Sequence, residues 1–366
     1  MVRIAIVGGG ILGLMAGRAL ASTGHVVTLL ETGQTGREAS WASAGIIAAR
    51  APWTTTATGK LQSISADLWS PFAEELGAET GIDIEFRMNG CFYPAFNDDE
   101  ARALERDARD AARLGLTLEF ASGPTLRAAE PALGPAIVAG LMGPGGNVEN
   151  RRLVRALDVA ARRAGVTIQT GVHVESISQH GGILAGVRTN DGSSIDADVV
   201  VIAAGAWSSA IDGVVNRPRV VPQRGQILAV RGASPPLRRV VMKADDPYLV
   251  PRLDGRIIVG ATREFVGFDR STTAGGVAWL LGSAVEMIPG LARAEIAEIW
   301  TGFRPVSVDG TPVIGETELR GLFYCTGHGP SGISPAPATI ALLTALVEER
   351  RPPLDPTVFS PRRFPA

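Results

Sequence analysis

The sequence predicts an α/β fold organised around a buried parallel sheet, and three stretches predict it. "RIAIV" (3–7) is short, apolar and rich in β-branched residues, as a strand covered on both faces must be. "GGGILG" (8–13) follows and opens a helical pattern with Leu14, Ala16 and Leu20 that ends near Gly24. "HVVTLLE" (25–31) then reads as the next strand, closing a βαβ unit.

Each part of this unit has a physical role in holding a dinucleotide. Gly8, Gly10 and Gly13 stand in GxGxxG spacing. The first allows the tight turn, the second the approach of a pyrophosphate, and the third close packing of helix on strand. Ile11 and Leu12 begin the helix, whose free N–H groups and positive end favour phosphate. Glu31 ends the second strand, where its carboxylate can accept hydrogen bonds from a ribose diol. An acid there disfavours a ribose bearing a phosphate. The alternative is a tight strand–helix turn with no ligand.

"TGREASWASAGI" (35–46) comes next, a loop of small residues containing Arg37, Ser40, Ser43, Ala44, Gly45 and Ile46. Its hydroxyls and amides can lie along more pyrophosphate or along an isoalloxazine ring, which tilts the choice from NAD towards flavin. "ADVVVIAAGAWS" (197–208) is another buried strand running into a small-residue turn. "GLFYCTGHGPSGISPAPATIALLTALV" (321–347) is a strand, a Gly/Pro loop and an amphipathic helix with Ile340, Leu343 and Val347 on one face. That helix start again offers positive potential to an electron-rich group.

Composition narrows the function. The 366 residues are 45% hydrophobic and 20% charged, enough for two domains. A formal net charge of −2 gives no electrostatic case for a nucleic-acid partner. Cys91 and Cys325 form no CxxC, and the four histidines have no metal-ligand spacing, so neither a disulfide framework nor a metal site is expected. A reducing cytoplasmic setting fits. The N-terminus has the charge and apolar run of a secretory signal, but the glycine spacing accounts for it better. No apolar run is long enough to span a bilayer.

Together "VGGGILG", "GREASWASAGI", "VVVIAAGAWS", "YLVPRLDGRIIVGAT", "IWTGFRPVSVDGTPVIG" and "CTGHGPSGISPAPAT" resemble the D-amino-acid oxidase superfamily of flavoproteins, in the family's order over nearly the whole chain. The chain looks most like the glycine oxidases associated with thiazole (thiamin) biosynthesis. The resemblance implies an α/β, Rossmann-like FAD-binding domain with an α+β second domain carrying an antiparallel substrate sheet. It implies FAD as cofactor and a division into 1–80, 150–215 and 305–366 for FAD, and 81–149 and 216–304 for substrate. To the cofactor residues above it adds Val172, Ala204, Gly205, Trp207, Gly327, His328, Gly329, Ser331, Gly332 and Ile333. The chain departs from the family at Gly329, Pro330 and Ser331, where glycine oxidases usually carry an aromatic and an Arg-Asn pair.

The remaining question is Arg304 in "WTGFRP", a guanidinium in a mostly apolar stretch. Arg keeps its charge and is costly to bury unpaired, so either it snorkels to water or something anionic meets it. By resemblance Arg304 clamps the substrate carboxylate with two parallel hydrogen bonds, and Tyr248 adds its phenol. Ile47 and Arg263 join them as substrate contacts. On the residues alone, Arg304 could instead pair with Asp309 or Glu298, Tyr248 could be a hairpin core aromatic, and Arg263 could be a surface residue. Arg252 is expected on the surface of the hairpin at 248–262, and His328 in a loop beside the flavin. Other expectations are a solvent-facing charged helix at 98–116, a helix at 151–165 followed by paired strands in "VTIQTGVHVESI", and a Pro-rich tail laid over the surface.

The expected reaction is oxidative deamination of glycine, sarcosine or small D-amino acids, with oxygen taken to hydrogen peroxide. The rivals are a flavin-dependent amino-acid or opine dehydrogenase passing electrons to a partner or quinone, an NAD-dependent dehydrogenase, and a flavin-binding protein with a dead site. No nucleophile–base pair argues for hydrolysis. Homo-oligomerisation is left open.

Overall fold

A computed structural model describes residues 1–48, 56–243 and 247–364. The βαβ unit is present: strand Arg3–Val7, helix Ile11–Ser22 and strand Val26–Glu31. It forms the centre of a six-stranded sheet. The order is Val313–Glu316, Leu322–Thr326, Val199–Ile202, Arg3–Val7, Val26–Glu31 and Thr167–Thr170. All neighbours are parallel except the first pair. Ala5, Ile6, Leu29, Val200 and Val201 are buried, as strands covered on both faces require.

Helices Ile11–Ser22, Ala57–Thr80, Asn150–Arg163 and Ala336–Val347 cover one face, packing Leu14, Leu20, Trp69, Leu157 and Leu343. The three strands Val174–His180, Ile183–Thr189 and Ser194–Asp196 cover the other through Val174, Ile177 and Val187. Helix Ala336–Val347 is not amphipathic in place. Ile340, Leu342, Leu343 and Ala345 are all buried, because two helices and two strands pack against it. "VTIQTGVHVESI" does not pair with itself either. Thr167–Thr170 joins Val26–Glu31, and Val174–His180 pairs with Ile183–Thr189.

The second sheet has eight strands, in the order Glu295–Ser307, Val220–Arg231, Arg256–Gly260, Tyr248–Pro251, Val240–Val241, Cys91–Ala95, Ala139–Gly143 and Glu119–Ser122. It is antiparallel apart from the short parallel pairing of Val240–Val241 with Cys91–Ala95. Tyr248–Pro251 and Arg256–Gly260 form the expected hairpin. Helix Asp98–Arg113 is exposed along most of its length, with Asp98, Asp99 and Glu100 favourably placed at its positive N-terminal end. The tail is anchored by Phe359 and Phe364, both buried. Among the described residues no helix is long and apolar enough to cross a membrane.

Candidate active site

One cavity of about 1490 Å³ runs from the C-terminal ends of the parallel strands to the face of the eight-stranded sheet. Small-molecule sites usually occupy about 300–1,000 Å³, so it has room for a dinucleotide with a second small molecule.

At its first end the backbone must pass through places a side chain would fill. Gly8 has φ +109°, and a Cβ there would lie 2.5 Å from the Ala203 carbonyl oxygen. A Cβ on Gly13 would lie 1.9 Å from the Gly8 carbonyl oxygen, so Gly13 serves helix–strand packing and does not line the cavity. Gly10, Ile11 and Leu12 do line it. Glu31 is held at the strand end by two backbone donors, Gly9 N–H at 2.7 Å and Gly33 N–H at 2.8 Å. Each bond fixes one carboxylate oxygen and leaves further acceptor capacity on both for a ribose diol. Val172, from the neighbouring strand connection, donates its N–H to the Glu31 carbonyl at 3.0 Å and joins the wall.

The loop after Gly36 contains a short helical turn, Ala39–Ala42. Arg37, Ser40, Ser43, Ala44, Gly45 and Ile46 all line the cavity. The serine hydroxyls have local work. Ser40 Oγ accepts from Ile11 N–H at 3.0 Å, and Ser43 Oγ donates to the Ser40 carbonyl at 3.0 Å. They fix the loop against the glycine turn. Ile47 departs from expectation: its side chain is fully buried in the core with Leu61 and Trp69 and is not part of the cavity wall.

Ala204, Gly205 and Trp207 enter from the end of Val199–Ile202, and His328, Gly329, Ser331, Gly332 and Ile333 from the loop after Leu322–Thr326. Gly327 stays behind the wall, with φ +76°. The following helix is pinned by Ser65 Oγ, which accepts Ala338 N–H at 2.9 Å, and by Trp69 Nε1, which donates to Ser334 O at 2.8 Å. The loop, and not the helix end itself, therefore faces the cavity. His328 is buried, with Nε2 3.1 Å from Thr339 Oγ1. Burial lowers its pKa to about 4, so it is neutral at pH 7.

The other end lies on the eight-stranded sheet. Arg304 projects from Glu295–Ser307 and Tyr248 from Tyr248–Pro251, with two strands between them. Those two strands carry glycines where the side chains pass. A Cβ on Gly225 would lie 2.7 Å from Arg304 Nη2, and one on Gly260 would lie 2.6 Å from the Tyr248 hydroxyl oxygen. The glycines form a floor over which the Arg304 guanidinium and the Tyr248 phenol come together, close enough for each to act on the other's charge. Gly225 and Gly260 were invisible as site residues, although an isolated glycine inside a strand is a signal of close approach.

Arg304 has no carboxylate partner among the described residues. Its Nη1 donates to Thr262 O at 2.9 Å and Gln223 Oε1 at 3.4 Å. Asp309 binds Arg363 at 2.6 Å instead, and Glu298 binds Arg151 at 2.8 and 3.0 Å. Burial lowers the Arg304 pKa, opposed by the neighbouring Tyr248, and burial raises that of Tyr248. A guanidinium in the wall of a cavity, with no carboxylate partner among the described residues, can receive a carboxylate from a ligand. Arg263 is exposed by area yet lines this cavity.

Arg252 is a correction. Expected on the hairpin surface, it is 6% exposed. It donates to Ala44 O (2.8 Å), Val148 O (2.9 Å), Asn150 Oδ1 (3.0 Å) and Asn147 Oδ1 (3.2 Å). Asn150 in turn donates from Nδ2 to Ser40 O and Trp41 O, at 2.9 and 2.7 Å. The hairpin is thereby tied to the cavity loop. Burial lowers the Arg252 pKa to about 10, leaving it charged at pH 7.

A profile of the DAO family, described as FAD dependent oxidoreductase, matches residues 3–346. The chain belongs to this family. It is 35% identical over 364 residues to a glycine oxidase of Pseudomonas putida, covering 98% of each chain. Its structure superposes on that of glycine oxidase from Geobacillus kaustophilus with a TM-score of 0.93, at 34% identity and full coverage of both chains. It superposes on iminodiacetate oxidase from a Chelativorans species with a TM-score of 0.85, at 28% identity, covering 98% of this chain and 99% of that one. The protein is an FAD-dependent oxidoreductase of the amine-oxidising type, and the glycine turn, Glu31 and the long cavity fit that cofactor.

Proposed function

We propose that the protein oxidatively deaminates glycine, sarcosine or small D-amino acids to the 2-oxo acid, with hydrogen peroxide formed from oxygen. The observation that carries this reading is the Arg304–Tyr248 pair, set over Gly225 and Gly260 in the same cavity as the nucleotide turn. The relatives named glycine oxidase support it.

Arg304 receives the substrate carboxylate through two parallel N–H donors, and the Tyr248 hydroxyl adds a third. Two fixed attachment points leave the α-carbon one orientation over the cavity. The enclosed wall, together with the positive charge of Arg304, disfavours an ammonium and favours the neutral amine. FAD, when bound, would supply the two-electron acceptor for the α-carbon hydride, with oxygen as the final acceptor. Loss of that hydride and an amine proton leaves an imine, which water hydrolyses to the 2-oxo acid and ammonia, or methylamine where the substrate is sarcosine. His328, neutral and held by Thr339, is a wall residue of the cavity.

In the same reading residues 1–80, 150–215 and 305–366 hold FAD, and 81–149 and 216–304 present the substrate sheet. Substituting Arg304→Ala tests the clamp. KM should rise at least about 100-fold, as loss of a bidentate charged contact requires, with the flavin spectrum retained. Unchanged KM would refute the assignment.

A further inference from the structure

The floor beneath Arg304 has a polar back. Side chains alternate between faces along strand Val220–Arg231. Gly225 and Ile227 line the cavity, while Arg224 and Gln226 point the other way, on the face where Leu228 and Val230 join the second sheet's core. Arg224 and Gln226 are both buried, and both converge on Glu264. Arg224 donates from Nε to Oε2 at 3.0 Å and from Nη2 to Oε1 at 3.2 Å, and Gln226 Nε2 donates to Oε2 at 3.0 Å. The bond from Arg224 holds the Glu264 pKa below the usual carboxylate range, so it is ionised at neutral pH. The third nitrogen of Arg224, Nη1, donates to Asp269 Oδ2 at 2.6 Å and Ser271 Oγ at 2.9 Å, which ties down the loop beyond Glu264.

Thr262 connects this network to the clamp. It is buried, its hydroxyl donates to Glu264 Oε2 at 2.9 Å, and the same oxygen accepts Gln226 N–H at 2.9 Å. Its carbonyl accepts from Arg304 Nη1 at 2.9 Å, a shorter bond than the 3.4 Å to Gln223 Oε1. A guanidinium is planar, so fixing one of its nitrogens sets the direction of its remaining donors. We propose that Glu264 is a positioning residue for the substrate clamp: held by Arg224 and Gln226, it fixes Thr262, whose carbonyl aims the Arg304 guanidinium at the substrate carboxylate. Glu264 itself stays behind the wall of the main cavity. This inference rests on the amine-oxidation reading above and adds a residue to its machinery. Were Glu264 there only to neutralise Arg224, its loss would lower stability and leave substrate binding alone.

The test is steady-state oxidation of glycine, sarcosine and D-alanine by the holoenzyme, in wild type, Glu264→Gln, Thr262→Val, Arg304→Ala and the Glu264→Gln, Arg304→Ala double variant. Glu264→Gln should raise KM by about 10-fold, with kcat changed far less and the flavin spectrum retained. Thr262→Val keeps the Arg224–Glu264 pair and removes only the link, so it should raise KM in the same way, and it carries the test if Glu264→Gln does not fold. In the Arg304→Ala background, Glu264→Gln should add nothing to the loss in kcat/KM, because it acts through Arg304. KM within about twofold of wild type in the single variants that fold, or a Glu264→Gln effect fully additive with Arg304→Ala, would overturn this inference alone. If none of the three amines reduces the wild-type flavin, the underlying reading falls and this inference falls with it.

Discussion

Replacing Arg252 by Met keeps side-chain length and removes every donor. Four oxygen acceptors, Ala44 O, Val148 O, Asn147 Oδ1 and Asn150 Oδ1, then lose their partner in a buried setting. Each unsatisfied acceptor costs about 1–3 kcal/mol. Against that stands relief of the guanidinium's desolvation, several kcal/mol for a buried ion. The balance is a loss of about 3–5 kcal/mol, the range for breaking a buried charged contact. At about 2.1 cal/mol/K of unfolding entropy per residue, a chain of 366 residues loses about 4–6 °C in Tm. Differential scanning calorimetry of the holoprotein reads this directly, and FAD affinity should fall too, because Ala44 and Gly45 form cavity wall. Arg252→Lys should be intermediate, since an ammonium cannot reach four acceptors in a planar fork. A Tm within about 1 °C of wild type would refute the account of this network.

Two further outcomes are expected. Gly225→Ala places a methyl where Arg304 Nη2 now lies 2.7 Å from the ideal Cβ, so the guanidinium must shift. KM for the amino acid should rise by about 10-fold or more with FAD binding retained, and equal KM values would show that the floor is not needed. His328 has a folded pKa near 4 against about 6.5 when unfolded, so the unfolded chain binds the extra proton first as pH falls. Stability should therefore decline by up to about 1.4 kcal/mol per pH unit from about pH 6.5 down to about pH 4. His328→Gln should remove that slope in pH-dependent melts, and an unchanged slope would assign it to other groups.

The nucleotide end of the site was legible because its determinants are local. Strand, glycine turn, helix and terminal acid follow one another within 3–31, and the structure keeps their order. Arg304 and Tyr248 were legible through the family's motifs, and the structure brings both to one cavity. What stayed hidden is non-local. Gly225 and Gly260 matter because of side chains reaching across from other strands. Arg252 reads as a hairpin surface residue until Ala44, more than two hundred positions earlier, folds against it. Ile47 sits next to cavity residues in sequence, but the backbone turns its side chain into the core. The C-terminal helix shows one apolar face in sequence, yet its neighbours bury nearly all of it.

The central claim is that an amino acid, held by Arg304 and Tyr248, gives its electrons to a flavin in this cavity. An anaerobic visible spectrum of the purified holoprotein, before and after adding glycine, sarcosine or a panel of D-amino acids that includes D-aspartate, tests it most directly. The account predicts flavin bands that bleach with at least one of these amines and return in air with formation of hydrogen peroxide. Flavin bands that persist with every amine would contradict it.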